Sequence, residues 1–350
     1  MPISRQATLD PALRDWLDQL VPTISPERLH ADVVALPAPR NRLDRPEWMQ
    51  QADQMILQAF QAAGWSAQLS PFRCAHVAGF LGYSNNGRFP APPTSYSLLE
   101  GANVVACKQG TQSGEAIVVL AHQDTTSHTR GANDNTASVA ALLELARAIA
   151  PYQFTRTIVL AATDMEEIGF FGAQALVADL LREWRVLAAI NLETIAYTDS
   201  TPQSQRLPGQ MELLYPRQVK QIRDRQSRAD FTAVIYNQAV LRSAATFAAA
   251  LAHLAGVHAP LLLRAPNDLP IIGTLLQRWI PAVRNFARSD HLPFWAAGIP
   301  AMMVTDTANF RYRHYHQPTD TPEKLDYQRL AAIVGATAAV LADVAELRRD

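Results

Sequence analysis

From about residue 103 onward, short apolar segments alternate with longer segments whose apolar residues recur at helical spacing. Strands that alternate with helices in this way form a largely parallel sheet with helices on both faces. The pattern therefore predicts an α/β fold with a mixed, mostly parallel, doubly wound sheet in three α/β/α layers. The predicted strands are Asn103–Cys107, Ala116–Ala121, Arg156–Ala162, Val186–Leu192, Phe231–Tyr236 and Pro300–Thr305. The predicted helices of this part are Ala137–Ala150, Gly169–Leu181, Ala239–Leu254 and Pro322–Glu346.

The rest of the chain is less regular. Residues 1–65 are predicted to be an N-terminal helical part of the same domain, because apolar residues recur at helical spacing before Gly64. Glycine, asparagine and proline make Phe80–Pro93 a predicted loop. The polar segment Thr198–Arg228 is interpreted either as a lid or rim or as an ordinary surface excursion. A single domain over residues 1–350 is expected.

Composition argues against several classes of function. The net charge of −1 and the pI near 6.8 leave no basic excess for binding nucleic acid or an anionic membrane. The first residues contain no apolar segment of the kind that a secretory signal has, and no stretch is expected to span a bilayer. A cytoplasmic protein is therefore expected. Since Cys74 and Cys107 are the only cysteines, reduced thiols are a simpler expectation than a disulfide. The oligomeric state is left open.

Carboxylates and histidines lie where predicted strands end or in the loops that follow. In open α/β sheets, ligands bind at the carboxyl ends of the strands. Residues scattered by chance would lie about equally at both edges of the sheet, so this placement predicts a common site. The residues are His122, Asp134, Glu166, Glu167, Glu193 and His316.

The residue types in this set suit a pair of divalent metal ions. Zinc binds imidazole nitrogen and carboxylate oxygen, and two neighbouring metals need a shared carboxylate. One histidine and one carboxylate for each metal, plus the shared carboxylate, make five ligands. His122, Asp134, Glu167, Glu193 and His316 supply that number.

Two further carboxylates have predicted roles beside the ligands. Glu166 is next to a ligand and can reach a metal-bound water as a general base. Asp124 lies two residues after His122, where it can accept the second imidazole N–H and fix the tautomer. The metals are expected to be zinc, although carboxylate-rich sites also accept manganese or cobalt.

These residues stand in segments by which the chain resembles the M28 family of metallopeptidases, the co-catalytic zinc aminopeptidases. The segments keep the family's order over roughly residues 100 to 330, and as a set they are specific, whereas each alone would mean little. The resemblance implies the zinc exopeptidase type of α/β/α fold. The matching segments are His122–Asp124, Gly131–Asn135, Asp164–Gly169, Asn191–Glu193, Ser289–His291 and Tyr315–Thr321.

The resemblance also implies a role for each ligand. Asp134 would bridge the two metals. His122 and Glu193 would complete one metal site, and Glu167 and His316 would complete the other.

Further implications and departures concern the neighbouring residues. The resemblance makes Glu166 the base and proton shuttle, and it implies a cis peptide bond at Asp134–Asn135. Glu193 stands where the family usually has aspartate, and its longer arm could alter metal geometry or preference. Asn133 stands where the family frequently has aspartate, so one negative charge beside the bridging residue Asp134 is missing. Ala137–Ser138 replaces a Ser-Gly pair, which is expected to be neutral.

Three residues are candidates for contact with the substrate. Asp290 and His291 belong to a segment that approaches the active site in the family, although Ser289 and Asp290 could instead cap a short helix over Leu292–Ala297. Tyr315 either helps to stabilise a tetrahedral oxyanion or serves in packing.

The leading hypothesis is a zinc aminopeptidase acting on a peptide or small amide, in which a metal-bridging hydroxide attacks the carbonyl and Glu166 carries the proton to the leaving amine. A glutaminyl cyclase-type acyl transferase on the same fold is an alternative, although such cyclases usually have tryptophan where Tyr315 stands. An amide hydrolase acting on a non-peptide metabolite is another. Further hypotheses are an M20 peptidase, which would insert a dimerisation domain before the last histidine, and a non-enzymatic protein that keeps a vestigial site.

Overall fold

The computed structural model describes residues 9–79, 94–112, 114–268 and 281–348. The loop predicted over Phe80–Pro93 lies outside these residues. The described strands are β1 (Ser66–Gly79), β2 (Thr94–Lys108), β3 (Glu115–His122), β4 (Thr157–Thr163), β5 (Arg185–Glu193), β6 (Thr232–Tyr236), β7 (Pro260–Arg264) and β8 (Ala301–Thr305). They form one sheet in the order β1-β2-β4-β3-β5-β8-β6-β7.

The centre of the sheet is parallel. β4 pairs with β3, β3 with β5 and β5 with β8 in parallel, as does β6 with β7. Antiparallel pairs join β1 to β2 and β2 to β4 at one side, and β6 to β8 at the other. The strands β3 and β4 are buried almost throughout because helices cover both of their faces. The mixed, mostly parallel sheet predicted from the sequence is confirmed.

Helices cover both faces of this sheet. The described α-helices are α1 (Pro11–Leu20), α2 (Pro26–Ala35), α3 (Pro46–Ala62), α4 (Ala137–Ile149), α5 (Phe171–Glu183), α6 (Met211–Leu214), α7 (Pro216–Asp224), α8 (Leu241–Ala255), α9 (His291–Ala296) and α10 (Tyr327–Val344). α1 to α4, α8 and α10 share the large core on one face. α5 and α9 pack on the opposite face, and α6 and α7 lie over β6 and β7 on that same side. The three-layer arrangement is thereby confirmed.

Two strands and part of a third were not predicted from the sequence. β1 lies at the edge of the sheet, and only Phe72 and Gly79 along it are buried, so it lacks the apolar run that marks a central strand. β2 begins at Thr94 rather than at Asn103, since its first half pairs with this exposed strand. β7 starts with Pro260, which a strand tolerates at a sheet edge.

The segment Thr198–Arg228 contains α6 and α7 rather than being irregular throughout. The strands that follow it, β6 and β7, belong to the main sheet. Within the described part of residues 198–288, these strands therefore form no separate sheet of the kind that an inserted dimerisation domain would need.

The helix α10 corrects the expectation that no stretch of the chain is long and apolar enough to span a bilayer. With a mean hydropathy of 1.2 over Tyr327–Val344, it is long and apolar enough to cross a membrane by length and composition alone. Of this stretch, 61% is buried, and the helix packs against α4 and α8 in the large core. Its apolar character is that of a core helix.

Candidate metal centre and active site

The five predicted metal ligands and the predicted base Glu166 lie together at the carboxyl edge of the sheet. This edge is where open α/β sheets bind ligands. One ligand atom each from His122, Asp134 and Glu167 lies within 4.8 Å of the other two. The same holds for His122, Glu166 and Glu193, so two overlapping groups of donors share one region.

Asp134 lies between the imidazoles of His122 and His316. Its Oδ1 atom is 3.2 Å from Nε2 of His122, and its Oδ2 atom is 2.9 Å from Nε2 of His316. A carboxylate that presents one oxygen to each of two imidazoles has the arrangement that a bridging ligand needs.

One glutamate lies beside each of these two imidazoles. Oε2 of Glu193 is 3.4 Å from Nε2 of His122, and Oε2 of Glu167 is 3.3 Å from Nε2 of His316. Atoms bound to one tetrahedral zinc at about 2.0 Å lie about 3.3 Å from one another. The distances from each imidazole to its two carboxylates are therefore close to those between neighbouring donors on a tetrahedral cation.

The site concentrates buried negative charge. Burial raises the pKa of Glu167 to about 7 and the pKa of Glu166 well above its usual range, and neighbouring carboxylates add to both shifts. Burial opposes protonation of His122 and His316, but the surrounding carboxylates outweigh it and raise both imidazole pKa values. Oε1 of Glu167 is buried and accepts no hydrogen bond from the described residues. Because such a group is costly unless a cation neutralises it, these donors fit divalent metals.

Asp124 holds the turn that carries the Glu166–Glu167 pair. The backbone N–H groups of Glu166 and Glu167 donate to the two carboxylate oxygens of Asp124, each at 3.2 Å. The helix predicted from Gly169 begins only at Phe171, so the pair lies in a loop after β4 and before α5. The Asp124 carboxylate thus fixes the loop that presents both the predicted base and a predicted ligand.

The contact between Asp124 and His122 differs from the prediction. Nδ1–H of His122 donates to the backbone carbonyl of Asp124 at 3.1 Å, whereas the nearest carboxylate oxygen is 3.4 Å away. The principal acceptor is therefore the carbonyl, because the carboxylate is turned toward the glutamate loop. Either acceptor leaves Nε2 of His122 available as a metal ligand.

Side chains from distant segments hold the turn that carries Asp134. The carboxylate of Asp320 accepts the backbone N–H of Asn133 at 2.9 Å and that of Asp134 at 3.2 Å. The side chain of Asn135 bonds to the backbone on both sides of Glu193, which ties the bridge to the end of β5. The peptide bond Asp134–Asn135 is cis, as the resemblance implies.

Glu193 is oriented by Ser289. The Ser289 hydroxyl donates to Oε2 of Glu193 at 2.7 Å and accepts from Nδ2 of Asn191 at 2.7 Å. The hydrogen bonds from Asn191 to Ser289 and from Ser289 to Glu193 thus hold the long glutamate side chain in one orientation. Sequence reasoning missed this role of Ser289 and the role of Asp320, although both lie within the matching segments.

Residues 103–248 and 271–341 match the model of Peptidase family M28. The chain belongs to this family. Every predicted metal ligand lies within the matched residues, and an M28 chain is a metal-dependent hydrolase. The hypothesis of an M20 peptidase is set aside.

Curated proteins with similar sequences include one bacterial and one fungal relative. The uncharacterized protein YfbL of Escherichia coli is 34% identical over 253 residues, which cover 68% of this chain and 70% of that protein. A probable zinc metalloprotease of Leptosphaeria maculans is 28% identical over 249 residues, which cover 67% of this chain and 52% of that protein. The matched part is thus only about half of the fungal relative's length.

Solved structures with the same fold include two kinds of enzyme. A zinc aminopeptidase from Bacillus subtilis aligns with a TM-score of 0.61 at 14% identity, covering 92% of this chain and 95% of that one. A glutaminyl cyclase from Porphyromonas gingivalis aligns with a TM-score of 0.60 at 14% identity, covering 92% of this chain and 99% of that one. At such identities the likeness establishes the fold alone.

In this M28 chain, Tyr315 and His291 occupy different environments. Tyr315 stacks on His316 with ring centroids 3.9 Å apart, and it lines a cavity beside the metal centre. His291 is fully buried, its Nε2–H donates to the carbonyl of Phe286 at 2.8 Å, and its ring packs against Trp295. Burial lowers the pKa of His291 to about 4. The predicted substrate contact of His291 is therefore wrong, because the ring is enclosed by its own segment.

Asp290 is also buried rather than exposed to substrate. Its carboxylate accepts a hydrogen bond from the Thr163 hydroxyl and does not cap α9, so the capping interpretation fails as well. Burial raises the pKa of Asp290 to about 7, although the nearby His122 favours the charged form. Asp290 thus adds a buried carboxyl group whose charge interacts with the imidazole of His122.

The N-terminal part supports the site through a buried ion pair. Nε of Arg42 donates to Asp164 at 2.5 Å, and Nη2 of Arg42 donates to Asp53 at 2.7 Å. Gln123 donates to the other oxygen of Asp53 at 3.0 Å. Arg42 therefore connects α3 with the segment that leads to the glutamate pair, and Asp53 connects α3 with Gln123, the residue after His122.

A cavity that is open to solvent lies beside the proposed metal ligands of this M28 chain. Glu193 and Tyr315 line the end next to the metals. The rest of the lining is mostly apolar, and Leu207 and Met211 contribute to it from the segment Thr198–Arg228. That segment therefore forms one wall of the cavity.

Proposed function

We propose that this protein is a zinc aminopeptidase that holds two metal ions. One ion would be bound by His122, Asp134 and Glu193, and the other by Asp134, Glu167 and His316. The observation that carries this proposal is the position of Asp134, whose two oxygens each face one imidazole. Zinc is the favoured metal because the donors are imidazole and carboxylate, and because the fungal relative is named a zinc metalloprotease.

The metals would supply Lewis-acid polarisation of the scissile carbonyl and acidification of the attacking water. Glu166 is the residue assigned to proton transfer. One oxygen of Glu166 lies within 4.8 Å of ligand atoms of His122 and Glu193. Glu166 is nevertheless left out of both ligand sets proposed above, because each of them already has one imidazole and two carboxylates. Because burial raises its pKa, the Glu166 carboxylate is a better proton acceptor than an exposed glutamate. It takes a proton from water and delivers it to the leaving nitrogen as the C–N bond breaks.

The cavity assigns the two halves of the substrate to opposite sides of the site. Glu193 and Tyr315 line it, whereas Glu166 and Glu167 do not. The leaving amine must lie next to the proton donor Glu166. The acyl half of the scissile amide, which in an aminopeptidase carries the N-terminal side chain, therefore enters the cavity.

The proposal is tested by metal analysis together with a substrate panel. The wild type is expected to bind two zinc ions per chain and to hydrolyse leucine 4-nitroanilide and unblocked peptides. Glu166→Gln is expected to retain both metals while turnover falls by a factor of about 10² to 10⁴. Glu47→Gln, a matched change at an exposed glutamate, is the control. Near-normal turnover of Glu166→Gln with metals bound would contradict the role of Glu166.

The same panel contains N-terminal glutaminyl peptides, because glutaminyl cyclases share the fold. Release of ammonia from those peptides, with no hydrolysis of the anilide and one zinc per chain, would replace the aminopeptidase proposal with a cyclase.

A further inference from the structure

A cationic side chain, that of Arg288, lies on the wall of the cavity beside the metal centre. Arg288 lines the cavity together with Glu193 and Tyr315. The next residue, Ser289, donates to the carboxylate of Glu193 at 2.7 Å, so the backbone of Arg288 is one residue away from a contact with a proposed metal ligand. Burial raises the pKa of the Tyr315 hydroxyl well above its usual range, and the charge of Arg288 opposes that rise. Arg288 therefore borders the end of the cavity where the scissile carbonyl would lie.

Two hydrogen bonds of the Arg288 guanidinium are long. Nη1 donates to the side-chain oxygens of Asn285 and Asn309, each at 3.4 Å, and both asparagines also line the cavity. Ordinary N–H···O bonds are about 2.7 to 3.2 Å long, so these two are weak. A carboxylate makes shorter and stronger bonds to a guanidinium and can accept two N–H groups at once. A carboxylate in the cavity would therefore compete well with these two amide oxygens for Arg288.

The wall around Asn309 carries positive charge. Nη2 of Arg206 donates to the backbone carbonyl of Asn309 at 2.6 Å, so the guanidinium groups of Arg206 and Arg288 both contact this residue. Among the described residues that line the cavity, Glu193 is the one acidic residue, and it is a proposed metal ligand. On this part of the wall an anionic group thus meets guanidinium charge without a second carboxylate to repel it.

The apolar part of the lining offers less to recognise a substrate. Met211, Ile235 and Leu263 line the cavity, but they also pack against one another in one buried cluster. Because these side chains already contact each other, a substrate side chain beside the metal centre meets mainly the polar residues at that end.

We propose that Arg288 selects substrates whose acyl half carries a side-chain carboxylate, so that peptides with an N-terminal glutamate or aspartate are preferred over those with an uncharged residue of the same shape. This inference rests on the proposed amide hydrolysis and on the assignment of the acyl half to the cavity. The guanidinium of Arg288 binds the side-chain carboxylate, and the bond that breaks is the amide bond already assigned to the site. Water remains the only co-reactant.

The first test compares the α-4-nitroanilides of glutamate and glutamine, whose side chains differ in charge but hardly in size. The wild type is expected to show a kcat/KM about ten- to a hundredfold higher for the glutamyl substrate, which is the range for a hydrogen bond to a charged group. Release of 4-nitroaniline reports cleavage of the anilide alone, so loss of ammonia from the glutaminyl side chain does not contribute. Equal values for the two substrates would overturn the inference without any variant.

Variants of Arg288 locate the preference. Arg288→Met removes the charge but keeps an unbranched side chain, and it is expected to lower the ratio of glutamyl to glutaminyl hydrolysis at least tenfold. Arg288→Lys keeps the charge and is expected to retain part of the ratio. Arg284→Met, at an exposed arginine four residues earlier, is the matched control and is expected to keep the wild-type ratio. A glutamyl preference that survives Arg288→Met would overturn the role of Arg288.

A binding measurement separates this inference from the proposed hydrolysis. L-Glutamate and L-glutamine are titrated into the metal-loaded full chain, and glutamate is expected to bind at least tenfold more tightly to the wild type but not to Arg288→Met. Such a difference in binding without hydrolysis of any anilide would support the role of Arg288 and contradict the proposed function. Hydrolysis of leucine 4-nitroanilide, together with equal rates for the glutamyl and glutaminyl substrates and equal binding of the two amino acids, would overturn this role and leave the aminopeptidase proposal standing.

Discussion

The carboxylate of Asp320 accepts the backbone N–H of Asp134, 186 residues earlier in the chain, at 3.2 Å. Its second oxygen accepts from Asn133 and from the Tyr312 hydroxyl, so one carboxylate fixes the turn of the bridging residue. Asp320→Asn would replace an acceptor with an amide donor facing backbone N–H groups. We expect metal affinity to fall about ten- to a hundredfold, as measured by competition with a chelator. Asp224→Asn at an exposed position is the control, and equal affinity of the two variants would contradict this role.

Glu193→Asp restores the family's more usual residue, yet we expect it to weaken the site in this chain. The shorter arm withdraws the carboxylate from the Ser289 hydroxyl, which now donates to Oε2 of Glu193 at 2.7 Å. One of two bound metals is expected to be lost on dialysis against a weak chelator, as read by metal analysis. If Glu193→Asp kept both metals, the length of the glutamate side chain and its hydrogen bond with Ser289 would not be needed for metal binding.

Asp124→Asn tests the support of the glutamate loop. Asp124 accepts backbone N–H groups from Glu166 and Glu167, and an asparagine side chain can accept only one of them. We expect kcat to fall about ten- to a hundredfold while the chain remains folded. The pH-independent rate and the circular dichroism spectrum are measured together. Unchanged kcat would mean that the loop keeps its position without this carboxylate.

Arg42 is predicted to matter for stability rather than chemistry. It pairs with Asp53 and Asp164, and the side chains of the three residues are 14%, 4% and 0% exposed. Arg42→Met leaves two buried carboxylates without their cation, so we expect a loss of about 3 to 5 kcal/mol in the free energy of unfolding by urea. Arg14→Met, at an arginine that is 52% exposed, is expected to cost less than about 1 kcal/mol.

His291 is predicted to make stability depend on acid. Burial lowers its pKa to about 4, whereas in the unfolded chain it titrates near 6.5, so the unfolded state binds the proton first. The contribution of neutral His291 to the free energy of unfolding is therefore present above pH 6.5 and is lost as the pH falls toward 4. By pH 4.5 the wild type should lose about 2 to 3 kcal/mol more than His291→Gln. Urea unfolding of both proteins at pH 7.5 and 4.5 measures this difference, and parallel losses would contradict it.

That the candidate ligands lie close together could be predicted, because each follows an apolar strand of the parallel centre. The strands β3, β4 and β5 are buried on both faces, and such strands leave a continuous apolar run in the sequence. The edge strand β1 leaves no such run, because its residues alternate between exposed and half-buried positions.

The supports of the ligands could not be predicted, since each depends on a contact between distant segments. From the sequence, capping a short helix is one of two roles open to the segment that contains Ser289, because a serine before a short helix commonly caps it. The actual partner of Ser289 is Glu193, 96 residues away, and only the assembled sheet brings the two together. His291 failed as a candidate for a similar reason, because nothing in the sequence shows that its ring turns back to the carbonyl of Phe286.

The five proposed metal ligands come from separate places between residue 122 and residue 316. In the unfolded chain these places move independently, so a pair of cations held by all five would act as a cross-link that closes several long loops at once. Removing the cations would then do more than stop catalysis. It would cut that cross-link, and the resistance of the whole chain to proteolysis would come to depend on the concentration of free metal.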